Sequence, residues 1–192
     1  MENHNILKMI ALFAVLLQIA VAKDIISENP SANTFTRIES GECVYLGSGV
    51  SAEYKFDEKE MTITSYTKDD CSGDKVSVTL PIESSSLKDC PEYVGFVGKD
   101  DVKDCKHEKY ADRVYYKTGC GKSTTGSVKH VVEGGKLKTN KYKSTDCSGT
   151  PEVKEIGECD TCYNGAVGSE IVRCGAISQM ILAILAVVFF LF

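Results

Sequence analysis

Nine cysteines in a chain of 192 residues constrain this sequence more than any other feature. They stand at Cys43, Cys71, Cys90, Cys105, Cys120, Cys147, Cys159, Cys162 and Cys174, and none lies in the first 22 residues. Such density points to an oxidising compartment, where disulfides do part of the work of an apolar core. Two ends of the sequence agree. Met1 to Ala22 has Lys8 in a short polar start, an apolar stretch from Met9 to Val21, and Ala20-Val21-Ala22. That is a signal peptide with cleavage expected after Ala22, since signal peptidase accepts only small side chains there.

At the other end, Ile177 to Phe192 is apolar and has no Lys or Arg behind it. Asn164-Gly165-Ala166, a spacer to Gly175 and this tail together read as a GPI-attachment signal spanning 164–192, with attachment at Asn164. A single-pass transmembrane helix is the rival, at the lower limit of the ~17–25 residues a span needs. Attachment at Asn164 would discard Cys174 and leave eight cysteines as disulfide candidates: Cys43, Cys71, Cys90, Cys105, Cys120, Cys147, Cys159 and Cys162. The expected location is the extracellular face of the plasma membrane.

Between the two signals the chain repeats itself. At a constant offset, Ser51 aligns with Ser127, Met61 with Leu137, Tyr66 with Tyr142, and Asp70-Cys71-Ser72-Gly73 with Asp146-Cys147-Ser148-Gly149. Cys43 falls opposite Cys120 with one residue of slippage. This predicts an N-terminal linker over 23–35 and two tandem modules, 36–105 and 111–162. The duplication suggests Cys43–Cys71 and Cys120–Cys147 as pairs, while the remaining connectivity is open.

Within each copy the pattern is that of strands. Ser51–Phe56 and Met61–Tyr66 flank a polar turn, and Ser127–Val132 and Leu137–Tyr142 flank one that contains Gly134-Gly135. Lys75–Leu80 alternates again and ends at Pro81. Only Glu83–Asp89 could hold a turn of helix. The expected fold class is therefore all-β: two tandem disulfide-stapled β modules between an N-terminal signal helix and a C-terminal hydrophobic tail.

The motifs that could carry chemistry read as scaffold. In Asp-Cys-Ser-Gly the Asp can accept turn N–H groups, Gly supplies the flexible position and Cys staples the corner. A serine nucleophile would need a base, and neither His107 nor His130 stands in a triad setting. Cys159-Asp-Thr-Cys162 lacks the second pair a zinc site needs, and predicts two structural disulfides leaving one corner. Asp100, Asp101 and Asp104 lack the spacing of a calcium loop. No enzyme, metal or cofactor is expected.

Charge offers one binding candidate. Lys106 to Lys143 holds 10 basic and 3 acidic residues, between two acidic flanks. Lys136, Lys138, Lys141 and Lys143 are its densest part, suited to an anionic glycan or an acidic protein surface. Arg113 is the single arginine there, which argues against nucleic acid.

With its signal peptide, repeated Tyr66 and Asp70-Cys71-Ser72-Gly73 signature, and C-terminal attachment signal, the chain resembles the small cysteine-rich GPI-anchored surface proteins of amoeboid protists. The resemblance implies a surface coat, adhesion or recognition role and assigns no residue. The function expected is a non-enzymatic, membrane-tethered ectodomain. A protease-inhibitor-like disulfide module and a single-pass membrane protein are the alternatives.

Overall fold

The computed structural model describes residues 23–83, 86–107, 109, 112–166 and 168–175. The segments expected as signal peptide and hydrophobic tail, 1–22 and 176–192, lie outside them. Among the described residues no helix is long and apolar enough to cross a membrane.

The strands are β1 (Asp24–Asn29), β2 (Thr34–Ile38), β3 (Cys43–Gly47), β4 (Val50–Phe56), β5 (Glu60–Tyr66), β6 (Lys75–Pro81), β7 (Leu87–Lys88), β8 (Tyr93–Asp100), β9 (Arg113–Lys117), β10 (Cys120–Ser123), β11 (Gly126–Glu133), β12 (Lys136–Tyr142), β13 (Glu152–Glu158), β14 (Thr161–Asn164) and β15 (Ser169–Cys174). The fold is all-β, as the alternation predicted. They form one seven-stranded sheet, ordered β14-β15-β8-β9-β2-β1-β7, and two four-stranded meanders, β3-β4-β5-β6 and β10-β11-β12-β13. Each meander leaves the central sheet after one of its strands, β2 or β9, and the chain returns to it afterwards.

Two apolar clusters hold the central sheet. Ile26, Phe35 and Tyr115 pack with Phe96, Tyr93 and Cys90, and the Phe35 and Tyr115 rings stack at 5.0 Å. Val97 and Val172 pack with Leu137 and Ile156 of the second meander. Phe96 and Val97 are neighbours on β8 and so point to opposite faces. The second meander therefore covers one face, and Leu137 is fully buried there. The first meander is tied to the other side by a buried fork: Arg113 Nη1 donates to Glu42 Oε1 at 3.0 Å, and Nη2 donates to Glu42 Oε2.

The repeated signature has the same geometry in both meanders. Cys71 and Cys147 adopt φ of 55° and 57°, and Gly73 and Gly149 both adopt 86°. Cys43–Cys71 and Cys120–Cys147 are bridged. Beneath each bridge lies a buried serine. Ser51 Oγ donates to Lys68 O at 2.6 Å and accepts from Cys71 N at 2.9 Å; Ser127 Oγ donates to Ser144 O at 2.7 Å and accepts from Cys147 N at 2.9 Å.

Several expected boundaries require correction. Residues 23–35, expected as a linker, contain β1, which pairs with β2 over Ile25–Asn29 and buries Asp24 and Ile26. Modules ending at residues 105 and 162 omit β15, which lies between β14 and β8 in the central sheet. Cys174 is bonded to Cys159 and Cys162 to Cys105. Cys90, counted among the paired cysteines, is free and packs against the Phe35 cluster. Attachment at Asn164 would remove β15, with its buried Ile171 and Val172 and the Cys159–Cys174 bridge, from the central sheet. Glu83–Asp89 holds the short β7.

Candidate functional site

The chain beyond β8 turns sharply through a 3-10 turn, Lys103–Cys105, in which Asp104 and Cys105 adopt positive φ. Three ties fix this segment. Cys105 is bridged to Cys162 on β14. Asp104 N donates to Asn164 Oδ1 at 2.7 Å, while Asn164 Nδ2 donates to Asp104 Oδ1 at 2.7 Å. Ser169 Oγ donates to Val102 O at 2.7 Å. Asn164, though exposed, thus has a structural role at this corner.

The turn delivers His107 into a gap between the first meander and the central sheet. Its Nδ1 lies 2.9 Å from Asp100 Oδ2 and its Nε2 lies 3.2 Å from Asp69 Oδ2. The ring stacks on Tyr45 of β3 with centroids 3.6 Å apart. Asp100 is buried, and Asp69 is also paired with Lys106 at 3.0 Å. The hydrogen bond from Lys106, with that from His107, holds the Asp69 carboxyl below the usual range. With one ring nitrogen at Asp100 and the other at Asp69, the imidazole bridges two carboxylates and joins meander to sheet. His107 is a clasp here, with both ring nitrogens and one ring face already engaged.

Beside the clasp opens a cleft of about 520 Å³, lined by Tyr45, Leu46, Asp101, Asp112, Tyr163 and Glu170 among others. Asp101 Oδ2 accepts Ser48 N at 2.7 Å, and this bond, with that from the Tyr45 hydroxyl, keeps its carboxyl below the ordinary value. Burial pushes the Tyr45 phenol up, so it stays protonated. Lys99, also on the wall, is 3.7 Å from Glu170. The cleft wall therefore carries more negative than positive charge. Leu46 and Tyr163 are exposed at the cleft. Carboxylates beside aromatic faces suit a cationic side chain, held by charge and by ring quadrupole.

The four lysines of β12 and its exit do not form one patch. Lys136 and Lys138 share a face, where Lys136 meets Glu155 at 2.9 Å and Lys138 meets Glu133 at 3.1 Å. Lys141 projects from the opposite face by strand alternation, and Lys143 lies past the strand; both are exposed. His130 is buried: Nε2 donates to Ala32 O at 2.9 Å and Nδ1 accepts from Thr139 Oγ1 at 3.0 Å. Burial lowers its pKa, consistent with a neutral ring. Among the described residues no group of His, Cys, Asp and Glu has a metal-binding arrangement.

The sequence did not point to the cleft, because its walls come from β3, β8, β14 and β15, far apart along the chain. One signal was present: Asp100-Asp101, Cys105 and His107 crowd eight positions, an unusual concentration for a solvated loop. No family model, curated protein or solved structure matches the chain.

Proposed function

We propose that the chain is a non-enzymatic, membrane-tethered cell-surface ectodomain built from two copies of one disulfide-stapled β unit. In this reading it acts by contact with an extracellular protein, taking a Lys or Arg side chain of that partner into the acidic cleft. The carrying observation is the cleft itself, with Asp101, Asp112 and Glu170 beside Tyr45, Leu46 and the exposed Tyr163. Four disulfides support an extracellular setting and a rigid rim, since Cys105–Cys162 fixes the corner behind Asn164. A surface role of this kind also fits the resemblance to the small cysteine-rich GPI-anchored surface proteins of amoeboid protists.

An anionic glycan on the lysines has weaker support, because Lys136 and Lys138 are already neutralised by glutamates. Calorimetric titration with Arg- and Lys-bearing peptides tests the cleft. Replacing Asp112 and Glu170 together by Asn and Gln should weaken the binding about tenfold and reduce its salt dependence. The Lys141→Ser/Lys143→Ser chain should bind like the parent. Equal peptide binding by the cleft variant, or heparin binding that depends on Lys141 and Lys143, would sink this reading. Surface labelling of intact cells tests the location independently.

A further inference from the structure

The two meanders share strand order and register, yet their outermost strands differ in character. Tyr54, Ile63 and Val78 lie side by side across β4, β5 and β6, as His130, Thr139 and Lys154 do across β11, β12 and β13. On β13 the exposed positions of this row are Glu152 and Lys154. On β6 the matching positions are Val76 and Val78, followed by Leu80, with exposures of 70%, 51% and 43%. Met61 and Ile63 of β5 continue the same face. β6 ends its sheet, so one edge of its backbone is also unpaired within the sheet.

Which groups are unpaired follows from the register. Thr67 N donates to Asp74 O and Ile82 N donates to Lys59 O, so the even-numbered residues of β6 bond to β5. The odd-numbered ones, Lys75, Ser77, Thr79 and Pro81, turn their backbone groups outward. The strand thus offers an open edge with an apolar row on one face and hydroxyls on the other. Such an edge selects a strand of the same alternation, and Lys-Val-Ser-Val-Thr-Leu-Pro has it itself.

We infer that β6 pairs antiparallel with β6 of a second copy of this chain about a two-fold axis through Val78, joining the two first meanders into one eight-stranded sheet. In that register Ser77 and the partner's Thr79 exchange both backbone hydrogen bonds, and Lys75 N–H donates to the C=O of the partner's Pro81. Proline's missing N–H costs only one bond at each end. Val78 meets the partner's Val78, and Val76 meets the partner's Leu80, so the apolar row is continuous across the axis. On the other face, Thr62–Thr79 at 3.0 Å and Thr64–Ser77 at 2.9 Å form a hydroxyl ladder that Ser77 and the partner's Thr79 extend. Charge is complementary as well: Lys75 stands diagonally across from the partner's Glu83, and no like charges oppose each other. β13 lacks this compatibility, with Glu152, Lys154, Glu155 and Glu158 in seven residues and a bulge opposite Leu137/Lys138. One strand of ~23 Å makes a contact below the ~800 Å² per partner of a standard interface, so the dimer is concentration-dependent.

The test uses the full chain in detergent micelles. Sedimentation should show a reversible dimer, and Val76→Glu/Val78→Lys, which copies the charges of β13, should raise its Kd at least about tenfold. A Val78→Cys chain should form a covalent dimer on non-reducing gels beyond the wild-type level, since facing residues of a non-hydrogen-bonded pair are close enough to bridge. A Val76→Cys chain should not, because its two copies sit ~13 Å apart along the strands. This pair of variants decides the matter if the charged variant fails to fold. A monomer up to ~100 µM, equal cross-linking by both cysteine variants, or protection of β6 only on phosphatidylcholine vesicles would overturn the proposal.

Discussion

At the residue scale, much of the fold's specificity rests on small polar groups under the disulfides. Ser51 and Ser127 have 0% and 1% exposure, and each hydroxyl satisfies a carbonyl and a cysteine N–H. Ser51→Ala leaves both groups without their partner in a buried site, at a cost of about 1–3 kcal/mol. Urea unfolding should show that loss for each serine, and near-additive losses for the double variant, since the two sites belong to separate sheets. His130 gives a pH signature. Its folded pKa lies below the unfolded value, so the unfolded chain binds the proton first and stability falls as pH drops below about 6.5. His130 contributes at most one proton to that slope, ~1.4 kcal/mol per pH unit. Unfolding free energies measured from pH 7 to 5 should fall less steeply for His130→Gln than for the parent. An unchanged slope would mean that His130 is not the group responsible.

At the element scale, the hairpins were legible in the sequence because alternation and turn residues are local. β4, β5, β11 and β12 lie within one residue of the predicted strands. The repeated serine was legible too, as an aligned position, although its buried role was not. The central sheet was illegible for a physical reason: its order is set by contacts between strands as distant as β2 and β9, or β8 and β15. β15 is the instructive case. Its Ser-Glu-Ile-Val-Arg-Cys reads like a spacer before the apolar tail, yet Ile171 and Val172 are buried and Arg173 pairs with Phe96 of β8 in register. A chain ending at Asn164 should fail to give a protease-resistant, fully oxidised species, whereas one ending at Gly175 should yield it with four disulfides. Intact mass after alkylation and limited proteolysis distinguish the two. A folded chain ending at Asn164 would show that β15 is dispensable.

On the scale of the whole molecule, the pairing of cysteines replaces the large core that the chain lacks. Parity alone was a poor guide to it, because an even number results from losing either Cys90 or Cys174. Geometry decides: Cys174 lies beside Cys159, while Cys90 packs against the aromatic cluster of Phe35 and Tyr115. Alkylation in denaturant without reductant should therefore label one cysteine per chain, Cys90, by peptide mass. Labelling of the folded protein should be slow, since burial raises the Cys90 thiol's pKa and keeps it protonated. Label on Cys174 would overturn the connectivity.

The position of β15 also bears on how the molecule is made. It is the last described strand to leave the ribosome, and yet it is an interior one, inserted between β14 and β8. Both meanders can close as soon as their own residues emerge. The central sheet must wait with the edge of β8 open, and Cys159 has no native partner until residue 174 arrives. Synthesis thus leaves a late window in which β8 and a lone thiol are exposed together, and the cell's disulfide isomerases have most to do on this chain in that window.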